Sequence, residues 1–407
     1  MLKISLARLR RDLTALARFG SNPGGGVSRP AWSPAHEEAR AWLLAQMKEA
    51  GLETSVDPAG NTFGRLGDGA PLVLTGSHID SVPDGGTLDG ALGVLAALEC
   101  LRTIREAGLP VKRPLAVVAW SDEEGRYGSL FGSRAFTGKL DAAKIPEMRA
   151  SDGERLVDAM ARAGFNARET PRAPADPGSV AAYVELHIEQ GPHLEAKGIP
   201  IGVVEGIVGI RRNRIVFQGE PDHAGTTPMA RRKDAFLAAA EYALTAREHV
   251  VRRGSGRSVT NFGVVEVKPG VTNIVPSRAA LLQEMRELDG KILGRLDREC
   301  ASLAKRIARR RGIRVAIERI SRNEPARMAP EVQRTIEAAA ATLKLRTLRM
   351  PSGAGHDAQN LATITKAGMI FIPSRGGRSH RPDESSDRRA IERGANVLLH
   401  TLLKLAS

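Results

Sequence analysis

The chain has 407 residues, of which 42% are apolar and 26% are charged, a composition typical of globular proteins large enough for two domains. It contains no apolar run of 18 residues, so the sequence predicts no membrane span. The net charge is +14, but aromatic residues make up only 4% of the chain. That leaves few stacking platforms for nucleic acid, so we expect a small anionic substrate and no nucleic-acid partner.

The first half of the chain alternates between helix-like and strand-like segments. Residues 1–20 mix basic and apolar side chains as an amphipathic helix does, without the uninterrupted apolar centre of a secretory signal. Residues 71–75 and 114–120 have the pattern of buried strands, and leucines at helical spacing lie between them (Leu88, Leu92, Leu95 and Leu98). This alternation predicts an α/β fold with a mixed, mostly parallel sheet flanked by helices.

The middle of the chain has a different pattern. Strand-like segments at 214–219, 258–267, 278–285 and 313–320 alternate with helix-like segments at 233–253 and 292–307. The order β-α-β-β-α-β is that of a ferredoxin-like sandwich, so we expect an inserted α+β domain at 213–326. Residues 1–212 and 327–407 would then form a catalytic, metal-binding domain.

Cysteine usage and local charge bear on location and partners. The only cysteines, Cys100 and Cys300, lie in separate helix-like segments, which is typical of a reducing compartment, so we expect a cytoplasmic protein. The basic segment 305–311 is typical either of a solvated helix face or of a patch that contacts phosphates. Nucleic-acid binding therefore remains the alternative from a different functional class.

Three segments that follow or precede predicted elements carry histidine or carboxylate side chains. His78 ends the first strand, and Asp80 is placed to accept the proton of its distal ring nitrogen, as carboxylates do behind metal-bound histidines. Asp89 lies beside glycines before a helix, where it is either an N-terminal cap or a carboxylate that bridges two cations. Glu123 and Glu124 belong to a run of three acids after the next strand. Such acids repel one another unless cations neutralise them, although a solvated acidic turn is the alternative.

Two more histidines complete a possible metal centre. His187 ends another strand-like run, and His380 follows the strand-like segment 369–372. Mixed histidine and carboxylate ligands favour Zn²⁺ or Mn²⁺, and neither cysteine lies in these segments. If Asp89 is shared, each of two cations has three protein ligands and a position for a water, which ionises near neutral pH and becomes the nucleophile. One of the two adjacent glutamates would bind metal while the other transfers protons.

Five stretches of the chain resemble, in the same order, the M20 family of two-metal amidohydrolases and peptidases. They are 76–83 (GSHIDSVP), 186–192 (LHIEQGP), 222–229 (DHAGTTPM), 351–358 (PSGAGHDA) and 372–377 (IPSRGG). The resemblance is closest to the amidase (hydantoinase/carbamoylase) branch, which includes N-carbamoyl-L-amino acid hydrolases, allantoate amidohydrolases and β-ureidopropionases. It runs from the N-terminal helix to near residue 400.

The resemblance implies two divalent metal ions per subunit, which would be zinc, manganese, cobalt or nickel. His78, Asp89 and His187 would hold one ion, and the same aspartate would hold the other together with Glu124 and His380. The inserted domain would serve as a lid and as the dimerisation domain, so we expect a homodimer.

The resemblance also implies roles for residues that contact the substrate. Glu123 would be the general base. His223, on the inserted domain, would reach into a site of the partner subunit and stabilise the oxyanion. Asn273 and Arg286 would bind the substrate carboxylate, and Gln190 would contact its carbamoyl or ureido end.

The residues themselves leave some of these roles open. Arg286 lies in a strand among apolar residues and needs an anion, which is either the substrate carboxylate or one of Glu284 and Glu287. The turn-rich loop around His223 either brings it over a developing oxyanion or leaves it without a function. His356 follows a glycine-rich loop, where we expect it to brace the site and the bound substrate.

The expected reaction is hydrolysis of the carbamoyl or ureido C–N bond of an N-carbamoyl-L-amino acid by a hydroxide that bridges the two metals. An allantoate amidohydrolase or a β-ureidopropionase is the nearest alternative, followed by an M20 peptidase and by a homologue that binds without cleaving. The complete ligand set argues against the last of these.

Overall fold

The computed structural model describes residues 1–407. The helices are α1 (Leu6–Leu16), α2 (Pro34–Glu49), α3 (Ala91–Glu106), α4 (Phe131–Phe136), α5 (Leu156–Arg162), α6 (His193–Lys197), α7 (Ala235–Arg253), α8 (Gly290–Arg310), α9 (Pro330–Thr342), α10 (Ala358–Leu361) and α11 (Arg388–Leu405). None of them is both long and apolar enough to cross a bilayer.

Thirteen strands complete the fold. They are β1 (Glu53–Val56), β2 (Thr62–Leu66), β3 (Leu72–His78), β4 (Leu115–Trp120), β5 (Val180–Ile188), β6 (Ile201–Ile207), β7 (Gly209–Gln218), β8 (Val259–Lys268), β9 (Arg278–Glu287), β10 (Arg314–Asn323), β11 (Ala326–Arg327), β12 (Thr347–Ser352) and β13 (Lys366–Ile372).

The chain divides into two compact units, Met1–Glu205 with Arg327–Ser407, and Gly206–Ala326. The sequence-based boundary at 213 falls inside β7, where Arg211, Arg212 and Asn213 interrupt the apolar pattern of a strand. The division lies before Gly209, where that strand begins.

The first unit contains a nine-stranded sheet with the order β1-β2-β4-β3-β5-β13-β6-β11, and β12 pairs with β6. Its four central strands, β4, β3, β5 and β13, are parallel to one another, whereas β2 and β6 flank them in antiparallel pairs. Every residue of β4 is buried, as expected for a parallel strand that helices cover on both faces. The predicted α/β fold with a mostly parallel central sheet is confirmed.

The second unit contains a four-stranded antiparallel sheet with the order β10-β7-β9-β8. Helix α7 connects β7 to β8 and α8 connects β9 to β10, so the predicted ferredoxin-like topology is confirmed. Buried and partly exposed residues alternate along β7, because only one face of the sheet packs against the helices. The core on that face includes Phe217, Tyr242, Leu281 and Leu296.

The parallel strands of the first unit bring their carboxyl ends to one edge of the sheet. His78, the last residue of β3, is paired in register with Trp120, the last residue of β4. On the other side of β5, His187 is paired with Phe371 of β13. Polar residues at this edge therefore lie close together although they are far apart in sequence, and such edges are where α/β proteins bind ligands.

Candidate metal centre

Three buried side chains converge at the sheet edge, and we call them the first cluster: His78, Asp89 and His187. The Nε2 atom of His187 lies 3.1 Å from Oδ1 of Asp89, and the Nε2 atom of His78 lies 3.7 Å from the same oxygen. The Nδ1 atom of each ring is bound from behind by a backbone carbonyl, so that Nε2 is directed to the cluster.

A second cluster shares the aspartate and consists of Asp89, Glu124 and His380. The Nε2 atom of His380 lies 3.3 Å from Oδ2 of Asp89 and 3.6 Å from Oε2 of Glu124. The other carboxylate oxygen of Glu124, Oε1, is buried and has no hydrogen-bond partner. An unpartnered buried oxygen is costly unless a cation or another ligand satisfies it.

The geometry of both clusters fits divalent cations. In a tetrahedral site with bonds of about 2.1 Å, the donor atoms lie roughly 3.4 Å apart. The separations of 3.1, 3.3, 3.6 and 3.7 Å agree with that spacing. Asp89 directs Oδ1 to the first cluster and Oδ2 to the second, and it makes no capping bond to α3. The bridging interpretation of Asp89 therefore fits the structure, and the capping interpretation does not.

Gly90, which follows the shared aspartate, is required by its conformation and by its close neighbour. Its φ is +63°, and a Cβ atom at this position would overlap the imidazole ring of His78. Its N–H also donates to Nε2 of His187 at 3.3 Å. This glycine lets the loop pass directly over the first cluster.

Asp80 has a different role from the one that the sequence indicated. The Nδ1 atom of His78 lies 3.0 Å from the backbone carbonyl of Asp80, while the Asp80 carboxylate is 3.7 Å away. That carboxylate instead accepts the backbone N–H of Glu123 at 3.4 Å and of Glu124 at 3.2 Å. Asp80 thus holds the two glutamates in place, and the backbone sets the tautomer of His78.

The acidic segment after β4 is not a solvated turn. Glu123 is buried, and its Oε2 atom lies 3.6 Å from Nε2 of His78. Asp122 is also buried, and its carboxylate accepts three backbone N–H groups from the following residues (Arg126, Tyr127 and Gly128). These bonds fix a tight turn that presents both glutamates to the clusters.

Burial and mutual repulsion shift the pKa values of the acids. Burial, with the neighbouring Asp357 and Glu124 charges, holds the pKa of Glu123 well above its usual range. Burial and the charge of Asp89 raise the pKa of Glu124 to about 7. Burial acts to raise the pKa of Asp89 as well, but the surrounding imidazoles bring it well below its usual range.

The pKa values of the imidazoles beside these acids are also raised. The hydrogen bond to Asp89 raises the pKa of His380 to about 9. Burial acts to lower the pKa of His78, but Glu123, Asp89 and other carboxylates more than offset this and raise it well above its usual range. Without cations the imidazoles therefore carry the protons that balance the acids.

Two residues that the sequence analysis did not identify contact the shared aspartate. The hydroxyl of Ser379 lies 3.0 Å from Oδ2 of Asp89 and 2.7 Å from Oε2 of Glu384, which is itself buried. The only available signal was their position in the polar loop around His380.

Gln190 and His356, for which the sequence analysis predicted contact with the substrate, lie beside the first cluster. The amide of Gln190 donates to Oδ2 of Asp89 at 2.8 Å, and its Oε1 atom is buried without a partner. The His356 ring is buried 4.5 Å from that of His187, and burial holds its pKa well below its usual range, so this imidazole is neutral.

Glu185, His187 and His356 also lie close enough together to hold an ion. The oxygens of Glu185 already accept bonds from Ser77 at 2.8 Å and from the N–H of Ala358 at 3.1 Å. We therefore interpret Glu185 as a brace between β5, β3 and α10.

The remaining predicted residues lie in the second unit. Nδ1 of His223 accepts the N–H of Gly225 at 3.0 Å, so the ring proton is carried by Nε2, which can then donate. The backbone carbonyl of Asn273 accepts the N–H of Ala224 at 2.9 Å, which places Asn273 beside the His223 loop.

Arg286 is partly exposed and not buried as the apolar sequence around it suggested. Its Nε donates to Glu284 at 2.7 Å, and Glu284 also pairs with Arg212 at 2.6 Å. The internal ion pair that the sequence left open is therefore present.

Comparisons with known proteins agree with this geometry. The sequence profile of peptidase family M20/M25/M40 matches residues 74–404. An N-carbamoyl-L-amino acid amidohydrolase of Geobacillus stearothermophilus is 39% identical over 405 residues, which are 98% of each chain. An allantoate amidohydrolase of Escherichia coli (strain K12) is 37% identical over 406 residues, 98% of this chain and 97% of the relative.

A solved structure shows the same fold over the full length. An amidase of the hydantoinase/carbamoylase family from Burkholderia phymatum has a TM-score of 0.92 and 35% identity, covering 100% of this chain and 98% of that chain. The chain thus belongs to peptidase family M20/M25/M40 and is an amidohydrolase of that family.

Proposed function

We propose that this amidohydrolase cleaves the carbamoyl C–N bond of N-carbamoyl-L-amino acids and uses two divalent cations per subunit. The observation that carries the proposal is the position of Asp89, whose two carboxylate oxygens face two separate clusters of ligands. The carbamoylase and allantoate relatives support a substrate with a linear carbamoyl or ureido group.

The chemistry divides between the cations and the side chains. When bound, the cations polarise the carbonyl of the substrate and lower the pKa of a water. Glu123 is buried beside both clusters and has a raised pKa, which suits a group that accepts a proton from water and returns it to the leaving nitrogen. The products would be the free amino acid, ammonia and carbon dioxide.

Several polar groups of the chain would recognise the substrate. The unpartnered Oε1 atom of Gln190 is a buried acceptor that the NH₂ of a carbamoyl group would satisfy. Nε2–H of His223 would donate to the oxyanion, and such a donor is typically worth about 3 kcal/mol. Arg286 and Asn273 would bind the substrate carboxylate. Before the substrate binds, Glu284 would orient the guanidinium of Arg286 through their ion pair.

We also propose a homodimer that forms through the second unit. Helix α7 has a solvent-exposed apolar stripe at a spacing of seven residues, formed by Leu237, Leu244 and Val251. The neighbouring edge strand β8 exposes Val259, Val264 and Val265. An apolar face beside an unpaired strand edge favours association with a second copy.

A substrate panel tests the proposed reaction. The metal-reconstituted protein would be assayed for ammonia release from N-carbamoyl-L-amino acids, N-carbamoyl-β-alanine and allantoate, and for release of free amino acid from a dipeptide. We expect the N-carbamoyl-L-amino acids to have the highest kcat/KM. Preferential turnover of allantoate or of the dipeptide would overturn the substrate assignment but not the metal centre.

Glu123→Gln tests the proposed role of Glu123 as the general base. The amide has the shape of the acid but cannot transfer the proton, so we expect full metal content and a loss of kcat of at least about 100-fold. Metal content would be measured by elemental analysis, and undiminished kcat would exclude Glu123 as the base.

A further inference from the structure

A buried carboxylate outside the ligand set joins two of the loops that carry ligands. Oε1 of Glu384 accepts the backbone N–H groups of Leu88, at 3.1 Å, and of Asp89, at 3.0 Å. Oε2 of Glu384 lies 2.7 Å from the hydroxyl of Ser379. Only 5% of Glu384 is exposed, so water cannot replace these bonds.

The position of Glu384 in the chain makes this contact relevant to the second cluster. His380 lies four residues before it, on the same loop, while its backbone partners belong to the loop that carries Asp89. A Cβ atom at Gly86 would overlap the carboxyl group of Glu384, so the glycine leaves room for this carboxyl group against the Asp89 loop. Glu384 thereby sets the separation between two ligands that are 291 residues apart in sequence.

The hydroxyl of Ser379 adds a second consequence. It lies within hydrogen-bond distance of two carboxylates, Asp89 and Glu384, but it has a single proton and donates to one of them at a time. If a cation takes Oδ2 of Asp89, this hydroxyl needs another acceptor, since a buried donor without a partner is costly. Glu384 supplies that acceptor 2.7 Å away.

We infer that Glu384 is a positioning residue for the second cluster: it docks the His380 loop onto the Asp89 loop and accepts the hydrogen bond of the Ser379 hydroxyl when a cation binds Asp89. This inference rests on the proposed pair of cations. It assigns to Glu384 no contact with substrate and no part in proton transfer to it.

Two variants distinguish the docking of the two loops by Glu384 from its acceptance of the Ser379 hydrogen bond. Glu384→Ala removes both. Glu384→Gln keeps an oxygen for the two backbone N–H groups, but its amide nitrogen is a donor and cannot accept from Ser379. Asp383→Ala is the matched control, because it removes the adjacent carboxylate, which is exposed and pairs only with Arg378 and Arg381 on its own loop.

Cobalt(II) titration of the full-length, metal-free protein provides a readout that does not depend on activity. The first cluster offers two imidazoles and the second only one, so the two bound ions differ in absorption and can be followed separately. Partners behind metal ligands typically change metal affinity by about 10- to 100-fold. We expect Glu384→Ala to weaken cobalt binding at the second cluster by that amount and the first cluster by less than about threefold.

The conservative variant discriminates this role from a merely structural one. We expect Glu384→Gln to unfold in urea at the same midpoint as the unmodified protein and yet to bind cobalt at the second cluster about tenfold more weakly. Asp383→Ala should match the unmodified protein in both measurements.

Two results would overturn the inference: unchanged second-cluster affinity in Glu384→Ala, or full recovery of that affinity in Glu384→Gln. If the unmodified protein binds fewer than two cobalt ions, the two-cation proposal fails and the inference fails with it.

Discussion

At the residue scale, the centre is a set of acids and imidazoles that would release protons when the proposed cations bind. The raised pKa values of Glu124 and the histidines mean that several ligands are protonated near neutral pH when no cation is bound. A cation binds only the deprotonated forms, so binding must release these protons.

Metal affinity should therefore depend on pH, and the sign follows from the direction of the shifts. His380 has a pKa of about 9 and Glu124 of about 7, so a rise in pH from 6.5 to 8.5 deprotonates ligands before the cation arrives. We expect the Kd for zinc to fall by roughly tenfold per pH unit for each proton released. Calorimetry in buffers of different ionisation enthalpy would count the protons, and an affinity that is constant across this range would contradict the prediction.

The sequence identified the side chains that cluster at the sheet edge better than it identified the groups that hold them in place. His78 and His187 could be recognised because each lies at the end of a buried strand, and parallel strands end at a common edge. Ser379 and Glu384 could not, since a bond from a side chain to the backbone of a distant loop leaves no periodic pattern in either segment. Asp80 was misassigned for the same reason: its backbone carbonyl, which no sequence pattern marks, is closer to His78 than its carboxylate is.

At the scale of the elements, the loop before α3 depends on a glycine where it passes the first cluster. Gly90 combines a left-handed conformation with direct packing on the His78 ring. Gly108 has a similar φ of +59°, but no atom lies near the position of its missing Cβ. Alanine variants at the two positions can therefore be compared to separate the cost of backbone strain from the effect of steric overlap.

Gly90→Ala should lose cation binding at the first cluster, because the new methyl group displaces His78. The left-handed backbone alone costs roughly 1–2 kcal/mol, and Gly108→Ala should show that cost in urea unfolding without any change in metal affinity. Equal metal affinities in the two variants, measured by titration with a competing chelator, would show that the overlap at His78 is relieved by movement of the loop.

The sequence also predicted most elements of both units, and it failed where polar side chains interrupt an apolar pattern. The helix stripe at 292–307 and the strand at 278–285 are present in α8 and β9. The start of β7 was placed too late, because Arg211, Arg212 and Asn213 are polar although two of them are buried. Their burial depends on partners such as Asp297 that come from distant segments.

At the scale of the whole molecule, the exposed stripe on α7 predicts a dimer that one substitution can disrupt. Leu244 is 67% exposed at the middle of the stripe, so Leu244→Asp should leave the fold intact and place a charge in the interface. We expect sedimentation velocity to show a dimer for the unmodified protein at micromolar concentration and a monomer for the variant.

Ser302→Asp is the control for that experiment. It adds the same charge at an exposed position on α8, the other helix of the unit, and should leave the dimer unchanged. A monomeric unmodified protein, or a dimer that survives Leu244→Asp, would contradict an interface through α7.

The strand order of the first unit has a consequence for synthesis of the chain. Strand β13, made almost last, pairs with both β5 and β6, which are made far earlier. A nascent chain that has emerged only as far as the second unit lacks this strand and also lacks His380. Such a chain lacks one member of the second cluster, so binding of the proposed second cation would have to follow insertion of the C-terminal segment.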